Sequence, residues 1–407
     1  MRVAFVNNCF EPFAVGGAER SMLARARGLQ KRGHVVKVFT LGADGIATER
    51  QIDGVDVQYV AGPWAACSPW HSGRSSTQRL LWHLGPEWLP WGLTDLSDVI
   101  RSFQPDLVNM ANLPGLGFGN IEVIRQLGAP VVLTIADFSP LCAGTTMFRN
   151  QRSCRTRCTS CKILSGPRLA RFNNASSYVF VSEYIRSRYA RVTGGRNNLI
   201  GRAEVIHNGL DERMIGHALP SEAAKEGVTF GFLGQLKPTK GVEVLIQAFL
   251  SLADRSNYRL IIAGSGEPSY LQKLRELSGS DKRIELLGYT DPVEFFSRAQ
   301  VVVIPSLWAE PLPRVGYEAN FFGRPIIVSN RGGSAELIVA EENGSIFDPE
   351  DTGELSSQMT RWADRVSMSG RELAVACRDY ALQRHHPEVV SAHYERVFAD
   401  VLSKERV

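Results

Sequence analysis

Two glutamates, Glu310 and Glu318, stand with seven residues between them in the stretch Ser306-Leu-Trp-Ala-Glu-Pro-Leu-Pro-Arg-Val-Gly-Tyr-Glu318. The first lies just past the apolar run 301–305, in a loop that follows a strand. The second falls inside a helix expected over about 313–322. Both therefore face the crevice above the strand's C-terminal edge, where open parallel sheets bind their ligands. The peptide N–H groups of Arg314, Val315 and Gly316 open that helix and offer a seat for phosphate. One carboxylate can then reach the hydroxyls of a ribose while the other lies beside whatever the phosphate carries. Acids also suit the positive end of a helix dipole with no ligand present. The surroundings favour a site: Gly323-Arg-Pro-Ile-Ile-Val-Ser329 reads as a second strand, and Gly332-Gly333 opens another turn.

These residues need a scaffold, and the chain supplies a regular one. In the first half, strands are expected at 2–7, 35–39, 55–60, 106–109, 130–135 and 178–181, with a helix over 18–31. The segment 203–209 closes this half, and polar residues 210–227 read as a hinge. A second series follows, with strands at 228–233, 259–263, 284–287, 301–304 and 326–328 and a helix over about 241–252. Short apolar runs bounded by Gly, Pro, Asn and Asp and alternating with helical segments predict βαβ units and mostly parallel sheets. The expected fold is α/β, two tandem doubly wound domains over 1–209 and 228–386 with a cleft between them. A C-terminal helix over 387–404 could return to brace the first domain.

Composition sets outer bounds. The chain has 407 residues, 44% hydrophobic and 22% charged, with a net charge of only +4. That is enough for two ordinary domains. No apolar run is long enough to cross a membrane as a helix. The opening strand predicts no cleavable leader and a cytoplasmic protein. Charge is unevenly spread: 138–182 holds no acidic residue but carries Arg149, Arg152, Arg155, Arg157, Lys162, Arg168 and Arg171. Arg20, Arg25, Arg27, Lys31 and Arg32 form a second cluster on a predicted helix. Both could be solvated faces, or could attract anionic lipid or a diphosphate-bearing acceptor.

The second half resembles the retaining nucleotide-sugar glycosyltransferases of family 4, whose architecture is GT-B, two Rossmann-like domains. The matching set is ordered: Gly231-Phe-Leu-Gly-Gln-Leu-Lys-Pro-Thr-Lys-Gly241, Ala263-Gly-Ser-Gly266, Leu287-Gly-Tyr289, Val303-Ile-Pro-Ser306, Glu310 and Glu318, Gly323-Arg-Pro325, Gly332-Gly-Ser-Ala-Glu336 and Asn343-Gly344. In the first half, Gly16-Gly-Ala-Glu-Arg20 and Val205-Ile-His-Asn-Gly-Leu-Asp211 also fit. The resemblance implies that Gly16 and Gly17 let backbone approach the donor diphosphate or the acceptor. It implies that Lys240 points a cation at the diphosphate, that Glu318 holds the ribose and that Glu310 lies at the donor sugar. Gly234, Gln235, Gly264, Ser265 and Tyr289 would border phosphates and base, and Arg314 and Val315 would offer backbone amides. Glu310, Lys240 and Asp137 are the expected catalytic residues, with charge stabilisation rather than a metal driving departure of the nucleotide.

Two departures from the family pattern stand out. Gln235 replaces a basic side chain, though an amide can still donate to phosphate. In Thr134-Ile-Ala-Asp137, Ala136 stands where many relatives carry histidine. The implied activity is transfer of a sugar, with retained anomeric configuration, to a hydroxyl of a glycan or lipid-linked acceptor in cell-surface polysaccharide or glycoconjugate synthesis. A non-catalytic nucleotide-sugar-binding scaffold is the alternative that Ala136 and Gln235 motivate. A nucleotide-sugar epimerase is a weaker rival, for want of an acid/base pair. No nucleic-acid partner is expected.

Four cysteines, Cys142, Cys154, Cys158 and Cys161, fall within twenty residues. In a cytosolic protein such a set reads as a structural zinc site, with two disulfides or free thiols as the alternatives. Five of the seven tryptophans (Trp64, Trp70, Trp82, Trp88 and Trp91) crowd one segment. They suit either gap-filling beneath the sheet or an acceptor-binding insertion at a membrane surface.

Overall fold

The computed structural model describes the whole chain except residues 13–15, 43–45, 69–72, 74, 90, 151, 195–202, 220–226 and 406–407. Trp70 and residues 220–226 of the expected hinge lie outside the described residues. The chain divides into two compact units. The first comprises Met1–Met147, Cys154–Asp211 and Pro387–Val407, and the second Phe148–Ser153 and Glu212–His386.

In the first unit β1 (Arg2–Asn7), α1 (Gly17–Lys31) and β2 (Val35–Leu41) are followed by β3 (Thr48–Ile52) and β4 (Val55–Val60). Then come α2 (Ser76–Trp88), α3 (Ser97–Phe103), β5 (Leu107–Met110), α4 (Asn120–Gln126) and β6 (Val131–Ile135). A small hairpin, β7 (Phe148–Arg149) and β8 (Arg152–Ser153), groups with the second unit, and the first unit resumes with α5 (Thr159–Leu164), α6 (Gly166–Phe172), β9 (Ser177–Phe180), α7 (Glu183–Thr193) and β10 (Ala203–Val205). The sheet runs β10-β9-β6-β5-β1-β2-β4-β3. Every pairing is parallel except β3 with β4. The periodicity reading missed β3: its residues Thr-Glu-Arg-Gln-Ile are almost wholly exposed at the sheet edge, so no apolar pattern marks them. Buried strand residues such as Val3, Phe5, Val38, Val57 and Leu107 form one core with Met22, Ala26 and Leu29 of α1.

The second unit begins with α8 (Glu212–Ile215) and builds β11 (Val228–Leu233), α9 (Val242–Leu250), β12 (Tyr258–Ala263), α10 (Pro268–Ser278), β13 (Ile284–Gly288), α11 (Pro292–Arg298) and β14 (Val301–Ile304). It ends with α12 (Arg314–Phe321), β15 (Ile326–Ser329), β16 (Gly344–Phe347) and α13 (Thr352–His385). The order β13-β12-β11-β14-β15-β16 is all parallel. Counted from β11 it is the doubly wound order 3-2-1-4-5-6, with the switch point between β11 and β14. α13 carries a non-helical break at Ser369, beside Gly370, and buries Trp362 with its indole N–H on Ser345 Oγ at 2.8 Å.

The last helix, α14 (Pro387–Glu405), lies in the first unit and packs on α1. Val390, Tyr394, Val397, Phe398 and Val401 join the core of that unit. Arg25 is buried here, its guanidinium donating to Tyr394 Oη at 2.6 Å and lying over the same ring. The basic cluster on α1 is therefore not a uniform solvated face.

Candidate active site

The site-bearing loops leave the sheet of the second unit at its switch point. A 3-10 turn over Pro238–Lys240 follows β11, and it is tied to the loop after β14 by the Leu307 N–H donating to Thr239 O at 2.9 Å. Gly241 ends the turn at φ 70°, where a Cβ would sit 1.8 Å from Pro305 O. Only glycine allows that approach. Its consequence is an ion pair: Lys240 Nζ lies 2.9 Å from Glu310 Oε2, and Ser306 Oγ donates to Glu310 Oε1. Glu310 is 6% exposed. Its backbone is held by a parallel bridge to Gly332, and Gly333 N–H donates to Glu310 O at 2.7 Å. A Cβ on Gly332 would overlap Glu310 N and O, which explains the glycine pair. The indole of Trp308 lies under the ammonium at 5.8 Å.

Glu318 is equally buried, one turn into α12, and its Oε1 accepts from Arg314 Nε at 3.0 Å and Nη2 at 2.7 Å. The Arg314 side chain thus neutralises Glu318, a role the sequence reading did not give it. At the helix start, Gly316 N–H is already committed to Pro313 O at 3.1 Å, so it is not the phosphate donor the sequence suggested. The Arg314 and Val315 amides occupy the first two positions of α12, and Pro313 provides no side-chain cap.

Around the same edge, the β11 and β12 loops are sewn together. Gly234 N–H donates to Ala263 O at 3.1 Å and Leu236 N–H to Ser265 O at 2.8 Å. Gly264 adopts φ 141°, and a Cβ there would meet Gly234 O at 1.8 Å. Gln235 and Ser265 are exposed on this paired loop. Tyr289 is 74% exposed, so its ring is no part of the core.

In the first unit, Gly16 is the N-terminal flank of α1 and Gly17 its first residue. A Cβ at Gly16 would meet Glu19 Oε2 at 2.3 Å. Asp137 lies two residues beyond β6, half-buried. Its Oδ1 accepts from Ser139 N–H at 2.9 Å, and Tyr189 Oη donates to its carbonyl at 3.0 Å. Burial pushes its carboxyl above the usual range, against the Ser139 hydrogen bond and the charge of Arg168. Arg168 is wholly buried, donates to Ser139 O at 3.1 Å, and keeps Nε and Nη2 without partners among the described residues. A cavity of about 20 Å³, room for one water, is lined by Thr134, Asp137 and Ser139 beside Asn112.

Comparison with known proteins settles the family. The model described as Glycosyltransferase Family 4 matches residues 15–213, and that described as Glycosyl transferases group 1 matches 220–384. The chain belongs to the family 4 glycosyltransferases. Relatives similar along most of this glycosyltransferase include an uncharacterized 42.6 kDa protein in the cps region of Klebsiella pneumoniae, 25% identical over 83% of the chain and 87% of the relative. An uncharacterized glycosyltransferase of Methanocaldococcus jannaschii is 25% identical over 100% of the chain and 97% of the relative. Two solved structures share the fold. Anabaena HepE in complex with UDP has a TM-score of 0.70 at 18% identity, covering 98% of this chain and 100% of that one. A sucrose-phosphate synthase from Thermosynechococcus elongatus has a TM-score of 0.75 at 16% identity, covering 99% of each.

The remaining motifs of the glycosyltransferase divide. Trp64 and Trp82 are buried, with Gly85 and Gly115 leaving room for their rings, while Trp88 and Trp91 are exposed, Trp91 stacking on Trp64 at 5.5 Å. The gap-filling reading holds for Trp64 and Trp82. Of the seven basic residues in 138–182, Arg168 is buried, Arg171 pairs with Glu87, and Arg157 is bound to carbonyls at Leu141 and Cys161. Cys161 Sγ lies 3.7 Å from Cys142 Sγ, and Cys158 is a second sulfur neighbour. No cysteine is in a disulfide. Among the described residues no three His, Cys, Asp or Glu side chains already enclose a common metal position. Ser306, Trp308 and Arg168 were missed as site residues: Trp308 and Arg168 meet partners distant in sequence, at Lys240 and Ser139, whereas Ser306 lies only four residues before Glu310 and was simply overlooked.

Proposed function

We propose that this glycosyltransferase moves a sugar from a nucleotide-diphosphate donor to a hydroxyl of a glycan or lipid-linked acceptor, with retention at the anomeric carbon and no catalytic metal. The Lys240–Glu310 pair at the switch point of the second sheet carries this reading. In the donor complex the ammonium turns to the diphosphate and the carboxylate to the sugar hydroxyls. As the anomeric C–O bond to phosphate breaks, Lys240 and the amides of Arg314 and Val315 take up the charge that develops on the leaving oxygen. The acceptor oxygen bonds to the same face of the anomeric carbon, and its proton passes to the departing diphosphate. No protein nucleophile is required. Glu310 stabilises the oxocarbenium-like charge, Glu318 accepts from the ribose hydroxyls, and Asp137 is the first unit's candidate contact for the acceptor.

A role in cell-surface polysaccharide synthesis is supported by the relative whose name places it in a cps region. A UDP-sugar donor is supported by neighbours described as complexes with UDP and with UDP-glucose. The chain would work in the cytoplasm at the membrane face: Leu80, Trp88, Trp91 and Ile163 are exposed, Trp88 Nε1 binds Leu164 O at 3.2 Å, and exposed Arg79 and Lys162 flank them. Apolar rings with basic neighbours suit an anionic bilayer surface. The decisive experiment offers UDP-, GDP- and ADP-sugars with acceptor extracts and reads the product anomer by NMR. Retention with one donor class supports the proposal. Inversion refutes the mechanism, and binding without either transfer or donor hydrolysis supports the scaffold reading.

A further inference from the structure

The cysteine loop of the first unit is absorbed neither by donor binding nor by acceptor binding. We propose that Cys142, Cys154, Cys158 and Cys161 bind one zinc ion as a closed four-thiolate centre. The inference stands independently of the transferase mechanism.

Distance is the first support. Two corners of a tetrahedron with zinc–sulfur bonds of ~2.3 Å are about 3.8 Å apart. Cys142 and Cys161 hold their sulfurs at 3.7 Å. A disulfide needs about 2.05 Å, so this edge matches metal ligation without movement.

Local structure supplies the other ligands. Cys158 caps α5 and Cys161 lies one turn later, a spacing that puts both side chains on one side of the helix. Cys158 is accordingly a hydrogen-bonding neighbour of the Cys161 sulfur. Cys154 follows β8, with its N–H fixed to Met147 O at 2.7 Å. Cys142 is held in a tight turn by Cys142 N–H to Phe138 O at 2.8 Å and Thr145 N–H to Cys142 O at 3.0 Å. The Ala143 N–H donates to the Cys161 sulfur, the kind of outer contact that orients a thiolate ligand. Cys142 and Cys161 form the standing edge, and binding draws Cys158 and Cys154 inward, releasing four thiol protons to solvent.

Charge completes the case. Four thiolates on one divalent cation leave a net charge of −2. Arg157 lies beside Cys161, Cys142 and Cys158 while its guanidinium donates to Leu141 O, Cys161 O and Ser165 Oγ. Arg168, also in the field of Cys142 and Cys161, is buried with unpartnered nitrogens. Within the run 138–182, Arg157 and Arg168 are the cations that stand near the sulfurs, Arg168 also facing Glu87 and Asp137. Because the loop begins at Asp137, the metal also fixes the segment that positions this carboxylate.

The test uses the full-length chain. Protein purified from zinc-supplemented cells should contain about one zinc per chain by elemental analysis. Cobalt added to the stripped wild-type protein should give thiolate-to-cobalt charge transfer and tetrahedral d–d absorption. The double variant Cys158→Ser/Cys161→Ser should lose the zinc, whereas Cys9→Ser should keep it. Cobalt spectra of the wild type need no variant to fold, so misfolding of the double variant leaves the proposal testable. Absence of stoichiometric zinc with only octahedral cobalt bands would overturn it. So would mass mapping of a Cys142–Cys161 disulfide in freshly purified protein.

Discussion

Glu310 is a residue whose neighbours explain it better than its own chemistry does. It is buried, takes one hydrogen bond from Ser306 and one ion pair from Lys240, and has its main chain locked by Gly332 and Gly333. The charge is thereby kept in place by three segments far apart in sequence. Glu310→Gln keeps the size and the Ser306 contact but removes the charge. It should lower kcat by about 10²–10³-fold, the usual loss for one electrostatic group aimed at a transition state. Donor affinity and melting temperature should change little; full activity in a steady-state assay would refute the assignment. Asp137 provides a second test, with a sign. Burial raises its carboxyl pKa in the folded state, so folding takes up a proton as pH rises from the unfolded value of about 4. Stability from this group is greatest below that value and falls as pH climbs through the folded value. Asp137→Asn should therefore raise the melting temperature at neutral pH, with the gain vanishing below about pH 4, while transfer activity drops. Equal gains at every pH in a melting series would contradict the buried-carboxylate account.

Among the elements, α14 shows most clearly how close packing constrains sequence. It lies so near α1 that a Cβ on Gly28 would sit 1.9 Å from Ser391 Oγ and 2.9 Å from Ser391 Cβ. Gly28→Ala should destabilise the first unit by about 1–3 kcal/mol, the cost of forcing an extra carbon into a packed contact. Ser391→Gly in the same chain should restore most of it. Denaturant unfolding of the four proteins of this cycle measures the coupling, and additive losses would show that the two helices are not in contact. The same reasoning applies at the donor loops. Gly241 and Gly264 are glycines because a carbonyl from a neighbouring strand stands where their side chain would be.

At the scale of the whole molecule, both units repeat one plan: a parallel sheet whose strand order reverses beside its first strand. Functional loops gather at that reversal because the crossover helices leave it uncovered. No helix among the described residues is long and apolar enough to span a bilayer. On the proposed membrane reading, attachment rests on surface groups, and Trp88, Trp91, Leu80 and Ile163 are exposed apolar residues near basic neighbours. Trp88→Ala/Trp91→Ala should reduce binding to phosphatidylserine-containing vesicles about tenfold or more, with wild-type binding falling as salt rises. Flotation assays measure both. Binding that ignores salt and these two rings would remove this surface from consideration.

The doubly wound class, most strand positions and the placement of Glu310 after β14 and Glu318 inside α12 were legible in the sequence, because buried parallel strands are short apolar runs and the loops between them need glycine. The β3 edge strand was not legible, since an exposed strand carries no periodic apolar signal, and β16 was passed over as well. The Arg314–Glu318 pair was overlooked although its i,i+4 spacing on a helix was legible, whereas spacing could not foresee that Trp308 lies beside Lys240 or that Arg168 is buried beside Asp137. Residue types along a chain record what each segment must bury or bend. Which charges from different loops meet is decided only when non-adjacent strands are laid side by side, and the Lys240–Glu310 pair exists because β11 and β14 are neighbours in the sheet although β12 and β13 separate them in the chain.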